Sequence, residues 1–164
     1  MLIVSDTGPL RYLIEVDAIG VLPVLYGKVW TTPSVLAELS AAGFPDKVRR
    51  WAREVPGWLL VEQPLRIEFL DVLDAGEAAA LSLAVERKAD AVLIDERDGT
   101  RLARANGIRT LGTLAVLMEA GHAGLLDFHM ALNRLVRETR FHHSKRLIAE
   151  VQELYETTAK AKGG

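Results

Sequence analysis

Leu2-Ile3-Val4-Ser5-Asp6-Thr7-Gly8-Pro9 is a short, unalternating apolar run that meets a carboxylate and then a glycine–proline break. Such a run reads as a strand buried on both faces of a parallel sheet, with Gly8-Pro9 feeding a helix. Asp6 then stands at the strand's carboxyl end. Open α/β sheets bind ligands at that edge, because the loops there leave a crevice that the sheet core does not fill. A second run, Ala91-Val92-Leu93-Ile94, closes on Asp95 before another helical stretch. Two acids at two strand ends can converge on one cleft.

Working outward, strand-like runs at 2–5, 28–31, 58–62, 91–94 and 108–111 alternate with helical patterns at 9–17, 19–26, 33–42, 45–54, 66–72, 75–88, 98–106, 112–122, 127–137 and 144–158. That alternation predicts a three-layer α/β/α fold with a parallel sheet of about five strands, covered by helices on both faces. Pro33 after Thr31-Thr32 and Gly76 behind Asp74 mark helix starts, while Gly43 and Gly107 mark stops. In the last helical pattern, Leu147, Ile148, Val151, Leu154 and Tyr155 fall at helical spacing, which makes it amphipathic. One domain over 1–159, followed by a frayed tail at 160–164, is the expected organisation.

A chain of 164 residues, 49% apolar and 26% charged, suits one domain with one core. No run approaches the ~18 apolar residues of a membrane span, and Asp6 and Arg11 interrupt any signal-like start, so a cytoplasmic protein is expected. The chain has no cysteine, which excludes disulfides, thiolate catalysis and cysteine-held metals, so any metal must use oxygen or histidine. A net charge of −2 argues against a generically basic protein that coats DNA, although arginines gather locally at Arg49, Arg50 and Arg53, and again at Arg97, Arg101 and Arg104.

Two further acids share the placement of the first pair. Glu38 lies one turn into the helix opened by Pro33, between Val35 and Leu39, and Glu77 stands among small residues in Asp74-Ala75-Gly76-Glu77-Ala78-Ala79-Ala80. Two roles are open to each. Asp6 or Thr7 can cap the helix that follows, Glu38 and Glu77 can be ordinary first-turn or surface carboxylates, and Asp95-Glu96-Arg97-Asp98 can be a capping loop. Alternatively, the four gather. Clustered carboxylates repel unless protonated or neutralised by a cation, and oxygen-only ligands favour magnesium or manganese. Magnesium held by carboxylates and waters serves phosphoryl chemistry, which makes a phosphodiester the natural substrate.

The chain resembles PIN-domain ribonucleases, and within them the small prokaryotic branch of VapC-like toxins. The resemblance rests on Ser5-Asp6-Thr7-Gly8-Pro9-Leu10, Pro33-Ser34-Val35-Leu36-Ala37-Glu38-Leu39, Leu73-Asp74-Ala75-Gly76-Glu77-Ala78, Leu93-Ile94-Asp95-Glu96 and Leu111-Gly112-Thr113-Leu114, in that order. It implies a magnesium-dependent endoribonuclease, with manganese as a substitute ion, in which Asp6, Glu38, Glu77 and Asp95 form the metal-holding quartet. A metal-activated water would cut the phosphodiester to leave a 5′-phosphate and a 3′-hydroxyl. It further implies an RNA substrate, a small antitoxin partner that blocks the site, as in a type II toxin–antitoxin pair, and a homodimer. Glu96 and Asp98 compete with Asp95 for the fourth ligand position, with Asp95 preferred because it directly ends its strand. Thr7, Arg97, Arg101 and Thr113 are the candidate substrate contacts. The departures are Glu77, where many PIN domains carry aspartate although this branch uses Gly-Glu-Ala, Glu96, where an aspartate often follows Asp95, and Thr100, where the branch often has arginine.

Other motifs give less. Asp6-Thr7-Gly8 matches the short aspartic-protease signature, but it occurs once and that fold is almost all strand. His142-His143 point in different directions, and His122 and His129 are isolated, so no zinc frame forms. Trp30, Trp51 and Trp58 fall in apolar patterns and read as core or interface residues. The competing functional reading is a catalytically silent PIN-like module that binds a protein partner through residues 144–159 or through the apolar helices.

Overall fold

The computed structural model describes residues 1–163. Five short strands, β1 (Ile3–Ser5), β2 (Val29–Thr31), β3 (Leu59–Val61), β4 (Ala91–Leu93) and β5 (Arg109–Leu111), form one sheet in the order β3-β2-β1-β4-β5. Every pairing is parallel. The strands are only three residues long, so what stabilises them is burial more than ladder length. Ile3, Val4, Val92 and Leu93 are wholly inaccessible, and helices flank the sheet in the three-layer α/β/α arrangement expected.

Strand order reverses between β1 and β4. From β1 the chain winds outward through β2 to β3, then returns to lay β4 against the other side of β1 and continues to β5. In register, Ser5 lies opposite Leu93, and the Asp6 N–H donates to the Leu93 carbonyl at 2.9 Å. Asp6 and Asp95 thus leave adjacent strands at the point where the loops diverge and a crevice opens.

The helices are α1 (Thr7–Glu15), α2 (Val21–Tyr26), α3 (Pro33–Leu39), α4 (Asp46–Arg53), α5 (Ala75–Glu86), α6 (Arg97–Ala105), α7 (Thr113–His122), α8 (Phe128–Glu138) and α9 (Lys145–Gly163). Helix α5 packs against β1, β4, α3 and α6 and is buried nearly all round from Ala78 to Ala84. Its alanines are what allow this approach, since larger side chains would hold the helix off the strands. Helix α3 begins where Pro33 follows Thr32, whose hydroxyl accepts from the Val35 N–H at 3.2 Å.

Two segments depart from the sequence reading. Residues 66–72, expected to be helical, form an irregular connection along α5. Distant acceptors hold this region: the Glu68 N–H donates to the Ser82 hydroxyl and, just before the segment, the Leu65 N–H donates to Glu86, each at 2.8 Å. Phe69 sits at φ 69°, a conformation no right-handed helix contains. At the other end, α9 runs to Gly163, through most of the stretch expected to fray at 160–164. Gly164 lies outside the described residues.

Aromatic stacking docks α9. The Tyr155 ring stacks on Phe128 at 4.2 Å and on His122 at 4.6 Å, with His129 edge-on at 5.6 Å. Gly121 makes room, since a Cβ there would come within 2.8 Å of the Tyr155 hydroxyl. Among the described residues no helix is long and apolar enough to cross a membrane. Tyr155→Ala removes the ring that α7 and α8 share, so it should lower stability by about 2 kcal/mol. Amide exchange should quicken first in 145–160, as read by thermal melting and hydrogen–deuterium exchange.

Candidate active site

A cavity of about 1040 Å³ opens at the carboxyl ends of β1 and β4, and Asp6, Glu38, Asp74, Glu77, Asp95 and Glu96 all line it. The four acids singled out in the sequence therefore share one cleft, each delivered by a different element.

Asp6 ends β1 and precedes α1, yet its side chain makes no capping hydrogen bond. It is 4% exposed, and Oδ1 is buried with no hydrogen-bond partner. Burial drives its pKa well above the usual carboxylate range; the Thr7 N–H opposes the shift, while the charges of Glu77, Asp74 and Glu38 add to it. A buried carboxylate oxygen without a donor is costly, and either a proton or a cation relieves it.

The other carboxylates are held by donors. Glu38 Oε2 accepts from the Thr7 hydroxyl at 2.5 Å, and Oε1 accepts from the Gly76 N–H at 2.9 Å. Glycine at 76 allows this position, because a Cβ there would overlap the Glu38 carboxylate and displace it. Glu77 and Asp74 form a reciprocal cap at the start of α5: Asp74 Oδ1 accepts from the Glu77 N–H at 2.9 Å, and Glu77 Oε2 accepts from the Asp74 N–H at 3.2 Å. The capping and cavity-lining roles left open for Glu77 thus coexist. Burial first, then the Asp74 and Glu96 charges, raise the Glu77 pKa to about 7, against an opposing hydrogen bond from the Asp74 N–H.

Asp95 faces the open cavity while lying deep among protein atoms. Its Oδ1 accepts from the Thr113 N–H at 2.7 Å and its Oδ2 from the Thr113 hydroxyl at 2.6 Å. Burial raises its pKa and these two bonds moderate the rise. Glycines at 8 and 112 allow the fit, since Cβ atoms there would lie 3.3 and 2.9 Å from its two oxygens. Glu96 caps α6 by accepting from the Gly99 N–H at 2.7 Å, and its charge reaches Glu77.

Several of the sequence candidates fall differently. Asp98 and Arg101 pair with each other at 3.3 Å on the exposed side of α6 and do not line the cavity, because one turn of helix carries both away from the strand edge. Arg97 does line it. The hydroxyls of Thr7 and Thr113 are spent on Glu38 and Asp95, which makes them orienters of carboxylates. Two cavity residues escaped the sequence reading of the acids. Asp74 was legible only as the start of a helix, although its offset of three from Glu77 is the mark of a capping box. Arg11, four residues after Thr7 on α1, shares its helix face and was the signal available for it. His142 lines the cavity beside Phe141 and Leu147, whereas His122 and His129 are engaged with Tyr155.

A family model described as a PIN domain, DUF3368, matches residues 2–157. The chain belongs to this PIN-domain family. PIN domains are in general nucleases that use divalent metal ions. The chain is also similar to the solved structure of a PilT N-terminus domain protein from the hyperthermophilic archaeon Sulfolobus solfataricus P2, at 13% identity and a TM-score of 0.45, over 87% of this chain and 100% of that one. No curated protein matches.

The donor set suits a hard divalent ion, for every candidate ligand in this PIN domain is oxygen and Asp6 Oδ1 is unclaimed. Among the described residues, however, no three acidic or histidine side chains stand gathered as a ready-made cage. The physical reason is visible in the hydrogen bonds, since Glu38, Glu77, Asp95 and Glu96 are each pulled toward a backbone N–H or a hydroxyl. An ion that keeps several of its waters tolerates such an arrangement.

The raised pKa values set the pH dependence. Glu77 binds its proton in the folded state up to about pH 7 but ionises near 4.5 when unfolded, so over that window the folded state holds more protons than the unfolded one. The Glu77 contribution to stability of the metal-free protein therefore falls as pH rises from about 4.5 to about 7, and the raised pKa values of Asp6 and Asp95 act in the same direction. Thermal melting in chelator across that range should show the decline. Glu77→Gln should make the decline shallower, leaving the part due to Asp6 and Asp95, and an unchanged slope would place the shift elsewhere.

Proposed function

We propose that the protein is a magnesium- or manganese-dependent endoribonuclease, with Asp6, Glu38, Glu77 and Asp95 as its acidic quartet and Glu96 as the alternative fourth acid. One observation carries the reading: the buried, unpartnered Oδ1 of Asp6 in an acid-lined cavity at the strand reversal. A divalent ion there would offset the carboxylate charge and draw electron density from a phosphodiester. The chain's own residues supply the remaining features. Thr7 and the Gly76 N–H fix Glu38, Thr113 fixes Asp95, and Asp74 fixes Glu77, so the carboxylates are oriented before anything binds. Arg97, at the start of α6, has no carboxylate partner among the described residues and is available to a phosphate.

A second reading, a silent module that binds a protein partner, draws on the absence of three gathered ligands. The two readings separate on Asp6→Asn. In the nuclease, this change lowers metal-dependent cleavage of RNA by about 100-fold or more, while the melting temperature in chelator does not fall, because the change removes a buried charge but little volume. Titration calorimetry with manganese should show binding to the natural protein that Asp6→Asn weakens. No heat from either protein would favour the module.

The toxin role, a small antitoxin, a homodimer and a cytoplasmic location belong to the same proposal; the first three rest on the likeness of the five motif segments to the VapC-like branch, the last on the absence of cysteine. Expression of the chain alone should arrest growth, co-expression of the product of an adjacent small reading frame should relieve the arrest, and Asp6→Asn should be harmless. Normal growth with an actively cleaving protein would remove the toxin assignment and leave the nuclease in place.

A further inference from the structure

The acidic half of the cavity faces a cation built with unusual care. Arg11 lies on α1 one turn beyond Thr7, so its side chain emerges on the same face as the hydroxyl that holds Glu38. It is only 17% exposed, yet it lines the cavity. Its guanidinium stands 4.5 Å from the Phe44 ring centre and 5.4 Å from that of Tyr12, both within cation–π range. Glu15, one further turn along α1, accepts from Nε at 3.1 Å.

Those contacts fix the plane of the guanidinium and use its Nε. Nη1 and Nη2 remain as free donors among the described residues, in a fork whose geometry matches two oxygens of a phosphate. A structural arginine would commonly turn its fork toward a carboxylate or carbonyls. Here the carboxylate takes the inner nitrogen, two rings lie against the plane, and the outer nitrogens of this cavity-lining side chain have no partner among the described residues. Holding a long side chain in place beforehand removes most of the ordering cost that binding would otherwise incur.

We infer that the Arg11 fork is a phosphate-binding subsite for an RNA strand, gripping a phosphodiester at or beside the one that is cut. This assignment rests on the nuclease reading for the identity of the ligand. Phe44, Tyr12 and Glu15 are positioning residues that act through Arg11. A lysine at 11 keeps the charge but presents neither the planar fork nor the same stacking, so it does not replace arginine.

The test is binding, measured separately from cleavage. A fluorescein-labelled single-stranded oligoribonucleotide is titrated with the natural protein, Arg11→Ala and Arg11→Lys, with calcium in place of magnesium, and read by fluorescence anisotropy. Arg11→Ala should weaken binding about tenfold or more, and Arg11→Lys should recover only part of that loss. Oligonucleotides carrying a neutral methylphosphonate at successive positions locate the contact. At one position the difference between natural protein and Arg11→Ala should collapse to within about twofold, which a merely structural arginine would not produce. Circular dichroism shows whether each variant is folded, and Arg11→Lys carries the test if the alanine variant is not. Equal affinity of the natural protein and the folded variants, or the same loss at every neutralised position, overturns the subsite. Cleavage of the same RNA by the natural protein in magnesium is the independent check on the nuclease reading. A protein that binds through Arg11 but does not cut would lose that reading and keep the subsite.

Discussion

The site depends on one constraint, the parallel pairing of β1 with β2 on one side and β4 on the other. Because the chain winds in opposite senses from those two pairings, the loops leaving β1 and β4 part, and the space between them cannot be filled by sheet. Asp6 is drawn into that gap by its backbone bond to Leu93, and its carboxylate goes with it. The elements around the gap then supply the acids, with Glu38 on α3, Asp74 and Glu77 at the start of α5, and Asp95 and Glu96 ahead of α6.

Much of this is legible in the sequence, because it follows from strong local patterns. Ile3 to Ser5 and Ala91 to Leu93 are short, fully apolar or small, and bounded by breakers, so they announce buried parallel strands and place Asp6 and Asp95 at one edge. Pro33 behind Thr32 announces α3 and, with it, the position of Glu38. Residues 66–72 mislead because Ile67, Phe69 and Leu70 mimic helical spacing. Distant residues weigh in that choice, for Ser82 takes up the Glu68 N–H and Glu86 the N–H of Leu65 just before the segment.

The site was less legible than the sheet for a related reason. That four carboxylates share a cleft can be read from element order, but which of their lone pairs are already occupied cannot. The Thr113 bonds to Asp95 span eighteen positions and the Gly76 bond to Glu38 spans thirty-eight, and no local signal reports either. Asp98 stayed a competitor of the preferred Asp95 because the two lie three residues apart. The start of α6 between them turns Asp98 outward to Arg101.

Four helices, α1, α5, α6 and α7, begin at the rim of this cleft, with their first residues or caps in its wall. Each carries roughly half a positive charge at its amino end, so together they amount to about two elementary charges, comparable with one divalent ion. The acids therefore rest in a field that partly balances them even when nothing else is bound. The consequence is that architecture and occupancy are separable. Helix starts and acids are thus laid out together by the fold, so the charge balance of the cleft is set in large part before any ligand arrives.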